Sequence, residues 1–294
     1  VLVREFLAGK SEATQRSYRF AFKMFGKYIG VNREIDAARW LLACSGEKAN
    51  LAFLSFRNRL VEQKRSPGGI NNQISAIRSV LNFARALEIV RWHIVVPNLP
   101  RQILRDTRGP GREGVRRLLD QAAKQGGRRA FRDVAIVRLF WDLGLRRTEM
   151  CRIDVTDIDF SDGSVWILGK WRLQKERMTL PTESLKAIKA WIGDRRTGPL
   201  FTKMNGEWLR DSGIYQIIVR LGKRCGLKVW PHGIRQAAIT DVLDATNGNM
   251  RKAQKFSRHK SMDILGRYDD NREDQAGQAS QLISDRLTGM DSST

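Results

Sequence analysis

A histidine and a tyrosine near the C-terminal end of the chain could act together on a phosphate group. His259 and Tyr268 stand nine positions apart in the stretch RHKSMDILGRYDDN. A tyrosine hydroxyl can bond covalently to a substrate when neighbouring groups activate it. Most tyrosines in a chain of this size are core or rim residues, so the pair carries weight only if the chain supplies what such a nucleophile needs.

Four further side chains could supply that environment. Arg146 follows Gly-Leu at a predicted helix start, where free backbone N–H groups also favour anions. Pro231 suits the first position of another helix, which would place His232 and Arg235 one turn apart, facing the same phosphate. Lys170 begins a basic turn after a predicted strand. A hairpin lysine or a His-x-x-Arg pair alone is mostly structural or solubilising, so the set has to be judged jointly.

The charge balance narrows the choice of partner. The chain has 294 residues, of which 53 are lysine or arginine and 31 are acidic, giving a net charge of +22. Such an excess indicates a polyanionic partner, most often nucleic acid. Binding to an anionic membrane usually concentrates the cations in one tract, whereas here they recur along the whole chain. A basic surface without function is the remaining alternative.

The sequence disfavours several other classes. It has no run of 18 apolar residues to predict a membrane span, and the apolar part of its N-terminus is too short for a signal peptide. Three scattered cysteines and three histidines lack metal-ligand spacing. There is no phosphate-binding glycine loop and no carboxylate cluster. We therefore expect no metal site, no cofactor and a reducing, cytoplasmic compartment.

Hydrophobic spacing divides the chain into two predicted domains. Residues 1–97 contain four helical stretches, and the third ends at the breaker Ser-Pro-Gly-Gly. The proline- and arginine-rich residues 98–111 indicate a basic linker. The predicted helices of the first domain are roughly 11–29, 34–44, 50–64 and 70–89.

Residues 112–294 form the second predicted domain. Short alternating runs at 157–160, 164–168 and 178–180 predict a small antiparallel sheet. Helices surround it, so the predicted fold class is mainly α with a small antiparallel β-sheet. The predicted helices are roughly 112–124, 130–143, 182–192, 211–225 and 250–256, with another beginning at Pro231.

Two helices of the first domain carry basic outer stripes. Arg16, Arg19 and Lys23 follow one face of the first helix, and Arg78 and Arg85 follow one face of the fourth. Such side chains suit phosphates and base edges in a DNA groove. A single stripe of this kind is more often an ordinary solvated face, but two in one small bundle favour DNA binding.

A last helix is predicted beyond Tyr268. Its apolar residues recur at helical spacing, which indicates one buried face. The helix could pack within its own domain or against another molecule. The residues of this face are Ala276, Ala279, Ile283, Leu287 and Met290.

Taken in order, the candidate residues resemble the catalytic set of the tyrosine recombinases, or phage integrase family, with its Xer, Cre and integron integrase branches. That family carries an arginine after Gly-Leu, a lysine on a β-hairpin, His-x-x-Arg, a histidine or tryptophan, and a tyrosine nine residues later. The resemblance covers nearly the whole chain, since the family also has an N-terminal helical domain that clamps DNA. The matching residues are Arg146, Lys170, His232, Arg235, His259 and Tyr268.

The chain departs from the family pattern at two places. The usual His-x-Leu-Arg-His is His-Gly-Ile-Arg-Gln, so Gln236 replaces the second histidine. The usual Leu-Gly-His is Ser-Arg-His, so Arg258 places an extra cation beside the site. Glu149, three residues after Arg146, matches an acidic position behind the family's active site.

The resemblance implies a site-specific DNA recombinase that cleaves and rejoins strands through a 3′-phosphotyrosine on Tyr268. Arg146 and Arg235 would hold the non-bridging oxygens of the phosphate, where negative charge grows in the transition state. A tyrosine hydroxyl has a pKa of about 10 and is a poor nucleophile at pH 7, so it needs this support.

The remaining candidates would handle protons and orientation. His232 would hydrogen-bond the phosphate or take the tyrosine proton. Lys170 would protonate the departing 5′ oxygen, and His259 would bind a non-bridging oxygen or orient the tyrosine. The resemblance also implies a homotetramer of two dimers on a double-stranded DNA site, its C-terminal helix docked on a neighbouring protomer. It further implies a nucleoid-associated bacterial, phage or mobile-element protein.

Two other readings remain open at this point. A type IB topoisomerase-like or telomere-resolving enzyme would use the same active-site chemistry, although the compact N-terminal bundle and short chain favour the recombinase. A non-catalytic DNA-binding protein with a degenerate site is disfavoured because all six catalytic residues are present.

Overall fold

The computed structural model describes residues 2–100, 109–169, 174–259, 261–262 and 275–288, with side chains in the last range at 277 and 280–287 only. The chain divides into two compact units, Val1–Arg105 and Asp106–Thr294. Each has its own hydrophobic core. Among the described residues, none of the helices is long and apolar enough to cross a membrane.

The first unit is a helical bundle around an aromatic core. Phe25 stacks on Phe53 with ring centroids 4.6 Å apart, and Phe56 meets Phe25 edge-on. Burial of these large rings supplies much of the driving force for folding. The helices are α1 Leu2–Ala8, α2 Glu12–Ile29, α3 Glu34–Ala43, α4 Gly46–Glu62 and α5 Pro67–Ala86.

Helix starts in this unit differ from the sequence-based expectation at three places. The Ser-Pro-Gly-Gly stretch begins α5: Ser66 caps the helix by accepting a hydrogen bond from the Gly69 N–H, and Pro67 occupies the first turn. Ser45 caps α4 in the same way, so that helix starts four residues before the predicted one. The short helix α1 was not predicted.

The chain that follows α5 lies against this bundle as an extended segment. Asn71 of α5 pairs with Leu99, because its side chain donates to the Leu99 carbonyl and accepts from the Leu99 N–H, at 2.9 and 2.8 Å. Arg78 donates to the carbonyl of Val96 at 2.6 Å. The first residues of the predicted linker therefore belong to the first unit.

The second unit is α+β. Its central helix, α7, is buried along most of its length and packs against α6, α9 and α11. The predicted fold class, mainly α with a small antiparallel sheet, is confirmed. Its helices are α6 Gly111–Ala123, α7 Gly127–Asp142, α8 Arg147–Met150, α9 Thr182–Ile192, α10 Asp211–Arg224, α11 Pro231–Ala245, α12 Met250–Ser257 and α13 Gln275–Thr288.

The sheet has the strand order β1-β2-β3, and both pairings are antiparallel. The strands are β1 Ile158–Asp159, β2 Ser164–Leu168 and β3 Lys175–Thr179. Strand β2 has the predicted bounds, whereas β3 begins three residues before the predicted run. The exposed positions of β3 are Lys175, Arg177 and Thr179, so its apolar alternation is weak and hides its start from a reading of hydrophobicity.

Candidate active site

Arg146 stands at the junction between α7 and the short helix α8. Gly144, two residues earlier, has a φ of +53°, a left-handed conformation that glycine adopts readily. Arg146 itself is the N-cap of α8, and its side chain is 26% exposed. The turn brings the guanidinium out of the core and leaves part of it open to solvent.

The carboxylate of Glu149 holds Arg146 in this position. Glu149 accepts hydrogen bonds from the Arg146 backbone N–H at 2.8 Å and from its Nη1 at 2.6 Å. The Arg146 N–H is therefore already used and is not available for an anion. Burial alone would raise the pKa of Glu149, but the positive charge of Arg258, then the hydrogen bonds and charge of Arg146, hold it below its ordinary value. Glu149 is 1% exposed and stays ionised.

Arg235 is an almost fully buried arginine that lies at the base of the same site. It is 1% exposed, on α11, one turn after His232 as predicted from the proline at the first helical position. Its Nη1 donates to the carbonyl of Gly144 and its Nη2 to the carbonyl of Ser257. These acceptors fix the guanidinium plane from two sides.

The two arginines meet at consecutive peptide groups. Arg235 donates to the carbonyl of Ser257, and Nη2 of Arg146 lies 3.4 Å from the carbonyl oxygen of Arg258. Because those carbonyls belong to consecutive residues, both guanidiniums contact the same short segment, which leads directly to His259. The described structure thus brings together four of the six predicted catalytic residues: Arg146, His232, Arg235 and His259.

Both histidines of the site are neutral near pH 7. Part of the His232 side chain is open to solvent. Burial of the rest of its ring lowers its pKa, and the charges of Arg235 and Arg146 lower it further. Burial, followed by the charge of Arg235 and then that of Arg146, lowers the pKa of His259 to about 4. A neutral imidazole can accept a proton, as a general base must.

Arg258 lies beneath the site and is not presented to solvent. The residue is 7% exposed and ends α12 in a left-handed conformation, with φ 55° and ψ 37°. Its Nη2 donates to Glu149 at 2.9 Å, and its Nη1 donates to the carbonyl of Leu143 at 3.0 Å. The extra cation expected from the sequence therefore acts inside the protein.

Two predicted catalytic residues, Lys170 and Tyr268, lie outside the described residues. Lys175 on β3 is the next lysine in the chain after Lys170, and it forms an ion pair with Asp157. Gln236, which replaces the second histidine, is 9% exposed, and its Oε1 has no hydrogen-bond partner among the residues that the structure describes.

The predicted DNA-contacting residues belong to the first unit. Arg16, Arg19 and Lys23 line an exposed face of α2, and Arg85 is exposed on α5. Arg78 is half-buried, and its bond to Val96 leaves less of its guanidinium for a partner. The roles of these five residues in DNA binding stay predictions.

Sequence reasoning missed the backbone acceptors of the site. The Gly144 and Ser257 carbonyls are 91 and 22 positions from Arg235, and no side-chain pattern marks them. The signal for Gly144 was the Gly-Leu-Arg motif, whose glycine supplies the left-handed turn. For Arg258, the only available signal was an arginine where the resembled family has glycine.

Comparisons with known proteins identify the family of this chain. Residues 112–275 match the phage integrase family. A tyrosine recombinase of Synechocystis sp. is 33% identical, over 97% of this chain and 95% of that protein. A tyrosine recombinase of Synechococcus elongatus is 31% identical, over 95% of this chain and 91% of that protein.

A solved structure has the same fold. The Tn1549 transposon integrase, in complex with transposon right end DNA, matches with a TM-score of 0.71 over 96% of this chain and 98% of that chain, at 16% sequence identity. Fold, site and sequence similarity lead to one conclusion. The chain belongs to the phage integrase family of tyrosine recombinases, and its predicted activity, site-specific cleavage and rejoining of DNA, is confirmed.

Proposed function

We propose that Tyr268 attacks a phosphodiester of a double-stranded DNA site and forms a 3′-phosphotyrosine. The bond from the tyrosine oxygen to phosphorus forms as the bond from phosphorus to the 5′ oxygen breaks. The tyrosine proton passes to a base, and the departing oxygen takes up a proton to become a free 5′-hydroxyl. Because the phosphoryl group stays in a diester, a second 5′-hydroxyl can reverse the step and join a new strand.

The pair of anchored guanidiniums carries this proposal. Arg146 and Arg235 are held on adjacent carbonyls and can each donate to a non-bridging oxygen. Fixed donors cost no reorganisation when charge develops, and loss of one such donor typically slows a reaction about 10²- to 10³-fold. Charge stabilisation by this arginine pair is therefore the principal catalytic contribution of the described part of the site.

The two histidines divide the remaining work. The lowered pKa of His232 keeps its imidazole neutral, so it can take the proton of Tyr268 or hydrogen-bond the phosphate. Nε2 of His259 lies 3.4 Å from Nη2 of Arg235, which supports a role in orienting the guanidinium and the phosphate bound to it. Lys170 is the proposed acid for the 5′ oxygen.

The proposed assembly is a homotetramer of two dimers on DNA. Leu282, Ile283 and Leu287 of α13 are 61%, 68% and 88% exposed, so the described part of this chain leaves its apolar face uncovered. Such a face favours docking on another protomer over packing within its own unit. The proposed location is the bacterial cytoplasm, in association with the nucleoid.

The recombinase is favoured over the two alternatives. The relatives that match nearly the full length of the chain are tyrosine recombinases. The presence of Arg146, His232, Arg235 and His259 in one site argues against a degenerate, non-catalytic protein.

A nicked suicide substrate tests the proposed chemistry. The nick releases a short strand after cleavage, so the reverse reaction fails and covalent protein accumulates. With wild-type protein, DNA labelled on the 3′-phosphoryl side of the break should migrate with the protein after denaturation, and the released strand should carry a 5′-hydroxyl. A label that instead follows the 5′ side would contradict the proposed polarity.

A further inference from the structure

Arg258 ends α12 in a backbone conformation that is unusual for any residue other than glycine. Its φ of 55° puts it in the left-handed region, and glycine is the usual residue at a helix end of this kind. Holding a non-glycine residue there costs conformational free energy. The resembled family usually carries glycine at this position.

The side chain of Arg258 connects two parts of the active site, the end of α7 and the acidic residue of α8. Nη2 contacts Oε2 of Glu149 at 2.9 Å and the Gly144 carbonyl at 3.3 Å, and Nη1 contacts the Leu143 carbonyl at 3.0 Å. Gly144 is also the acceptor for Arg235, so one carbonyl receives bonds from both arginines. Arg258 therefore fixes the last turn of α7 together with the acidic residue of α8.

The charge balance around Glu149 gives this contact a consequence for catalysis. Arg146 and Glu149 by themselves would form an ion pair with no net charge. With Arg258 as a second cation, the same carboxylate is shared between two guanidiniums, and the charge of Glu176 also acts on Arg258. Arg146 is the more exposed of the two, at 26% against 3% for the Arg258 side chain, so Arg146 is the guanidinium that a substrate can reach.

We propose that Arg258 is a positioning residue for strand cleavage. It neutralises and immobilises the buried carboxylate of Glu149, so that Arg146 keeps its orientation and its positive charge for the scissile phosphate. This inference rests on the proposed function, because it assigns Arg146 to that phosphate. It goes beyond it by placing a third arginine, without contact to substrate, in the electrostatics of the site.

Three substitutions separate charge from backbone conformation and from folding. Arg258→Lys keeps a cation, Arg258→Met keeps length without charge, and Arg258→Gly removes the side chain while relieving the left-handed strain. For each variant, DNA affinity is measured by mobility shift, and the single-turnover rate of cleavage is measured on the nicked substrate. Thermal unfolding midpoints are recorded for all three.

The expected pattern follows the charge. Arg258→Met and Arg258→Gly should cleave on the order of 10- to 100-fold more slowly than wild type, with DNA affinity within about threefold, as expected when support for a catalytic group is lost. Arg258→Lys should cleave within about threefold of wild type. Glycine should unfold at a higher temperature than methionine while cleaving no faster.

Other patterns would overturn the inference. Wild-type rates for Arg258→Gly or Arg258→Met would show that the cation is not needed. A lysine variant as slow as the methionine variant, or rates that follow the unfolding midpoints, would assign Arg258 to folding alone. If wild-type protein forms no covalent adduct, the proposed function fails; if it does and the pattern is absent, only the role of Arg258 fails.

Discussion

Nη2 of Arg235 lies 3.4 Å from Nε2 of His259. A guanidinium has donors only, so Nε2 of the histidine is the acceptor and the ring proton of the neutral imidazole resides on Nδ1. The same arginine lowers the pKa of His259, after the larger effect of burial. The site thus combines two guanidiniums with neutral histidines, an arrangement that suits an anionic substrate.

The histidine pKa predicts how stability depends on pH. The folded pKa of His259 is about 4, against 6.5 for the unfolded chain, so between these values the unfolded state binds more protons. The free energy of unfolding should therefore fall as pH drops from about 6.5 towards 4. His259→Gln lacks this titration, so wild type should lose stability relative to the variant over that range. Urea unfolding of both proteins at several pH values measures the difference, and a difference independent of pH would contradict the lowered pKa.

Gly144, two residues before Arg146, is predicted to be required for full stability and cleavage. At Gly144, an added Cβ would lie 2.8 Å from Cε1 of Phe256, and its φ is +53°. Gly144→Ala should lower stability by about 2–4 kcal/mol through strain and overpacking. It should also slow cleavage, since the Gly144 carbonyl anchors Arg235.

Gly127 is the matched control for this substitution. Its φ is +56°, but nothing lies within 4 Å of an added Cβ. Gly127→Ala should therefore cost only about 1–2 kcal/mol of conformational strain and leave cleavage by bound protein unchanged. Denaturant unfolding and single-turnover cleavage measure both effects. Equal losses for the two variants would show that contact with Phe256 has no role.

The general acid is predicted to be Lys170 and not Lys175. Lys170→Ala should slow cleavage of an ordinary site about 10²- to 10⁴-fold, the usual contribution of general acid catalysis. A substrate with a good leaving group at the 5′ position, such as a phosphorothiolate, needs no proton and should restore the rate. Lys175→Ala removes a lysine already paired with Asp157, and it should change the rate only slightly on either substrate. Failure of the rescue would remove Lys170 from this role.

The basic residues of the first unit are predicted to separate into two groups. Lys23 is exposed on α2, and Lys23→Ala should reduce the slope of log affinity against log salt by about 1 if it contacts one phosphate. Arg78→Ala should instead reduce stability by about 1–3 kcal/mol, because it removes the bond to Val96. Binding titrations across salt concentrations, with unfolding measured in parallel, test both. If Arg78→Ala reduced the salt dependence of DNA affinity and kept full stability, the structural role of Arg78 would be contradicted.

Local signals in the sequence predicted much of this site, and long-range contacts did not. Pro231 marks a helix start, so the spacing of His232 and Arg235 on one face followed directly. The burial of Arg235 could not be predicted, because its acceptors come from distant turns. Arg258 was predicted to be an extra cation beside the site, but its burial could not be predicted, because its partner Glu149 is 109 positions away.

The starts of α5 and β3 were also difficult to predict from the sequence. The Ser-Pro-Gly-Gly stretch carries the signals of both a break and a helix start, and only the side chain of Ser66 decides between them by capping α5. The predicted start of strand β3 is three residues late because its exposed residues are polar or charged. Pairing with β2, and not apolar alternation, defines this strand. The start of β3 thus depends on a neighbouring strand, which a single sequence does not display, whereas the Ser66 cap is a local contact.

The most direct test of the central claim is the covalent adduct itself. Wild-type protein and Tyr268→Phe should bind the nicked DNA site with similar affinity in a mobility shift, since the substitution removes one hydroxyl group. Only wild type should yield a denaturation-resistant protein–DNA band, and mass spectrometry of its proteolytic fragments should locate the DNA on Tyr268. A covalent band from Tyr268→Phe, or an adduct mapped to another residue, would contradict the proposed mechanism.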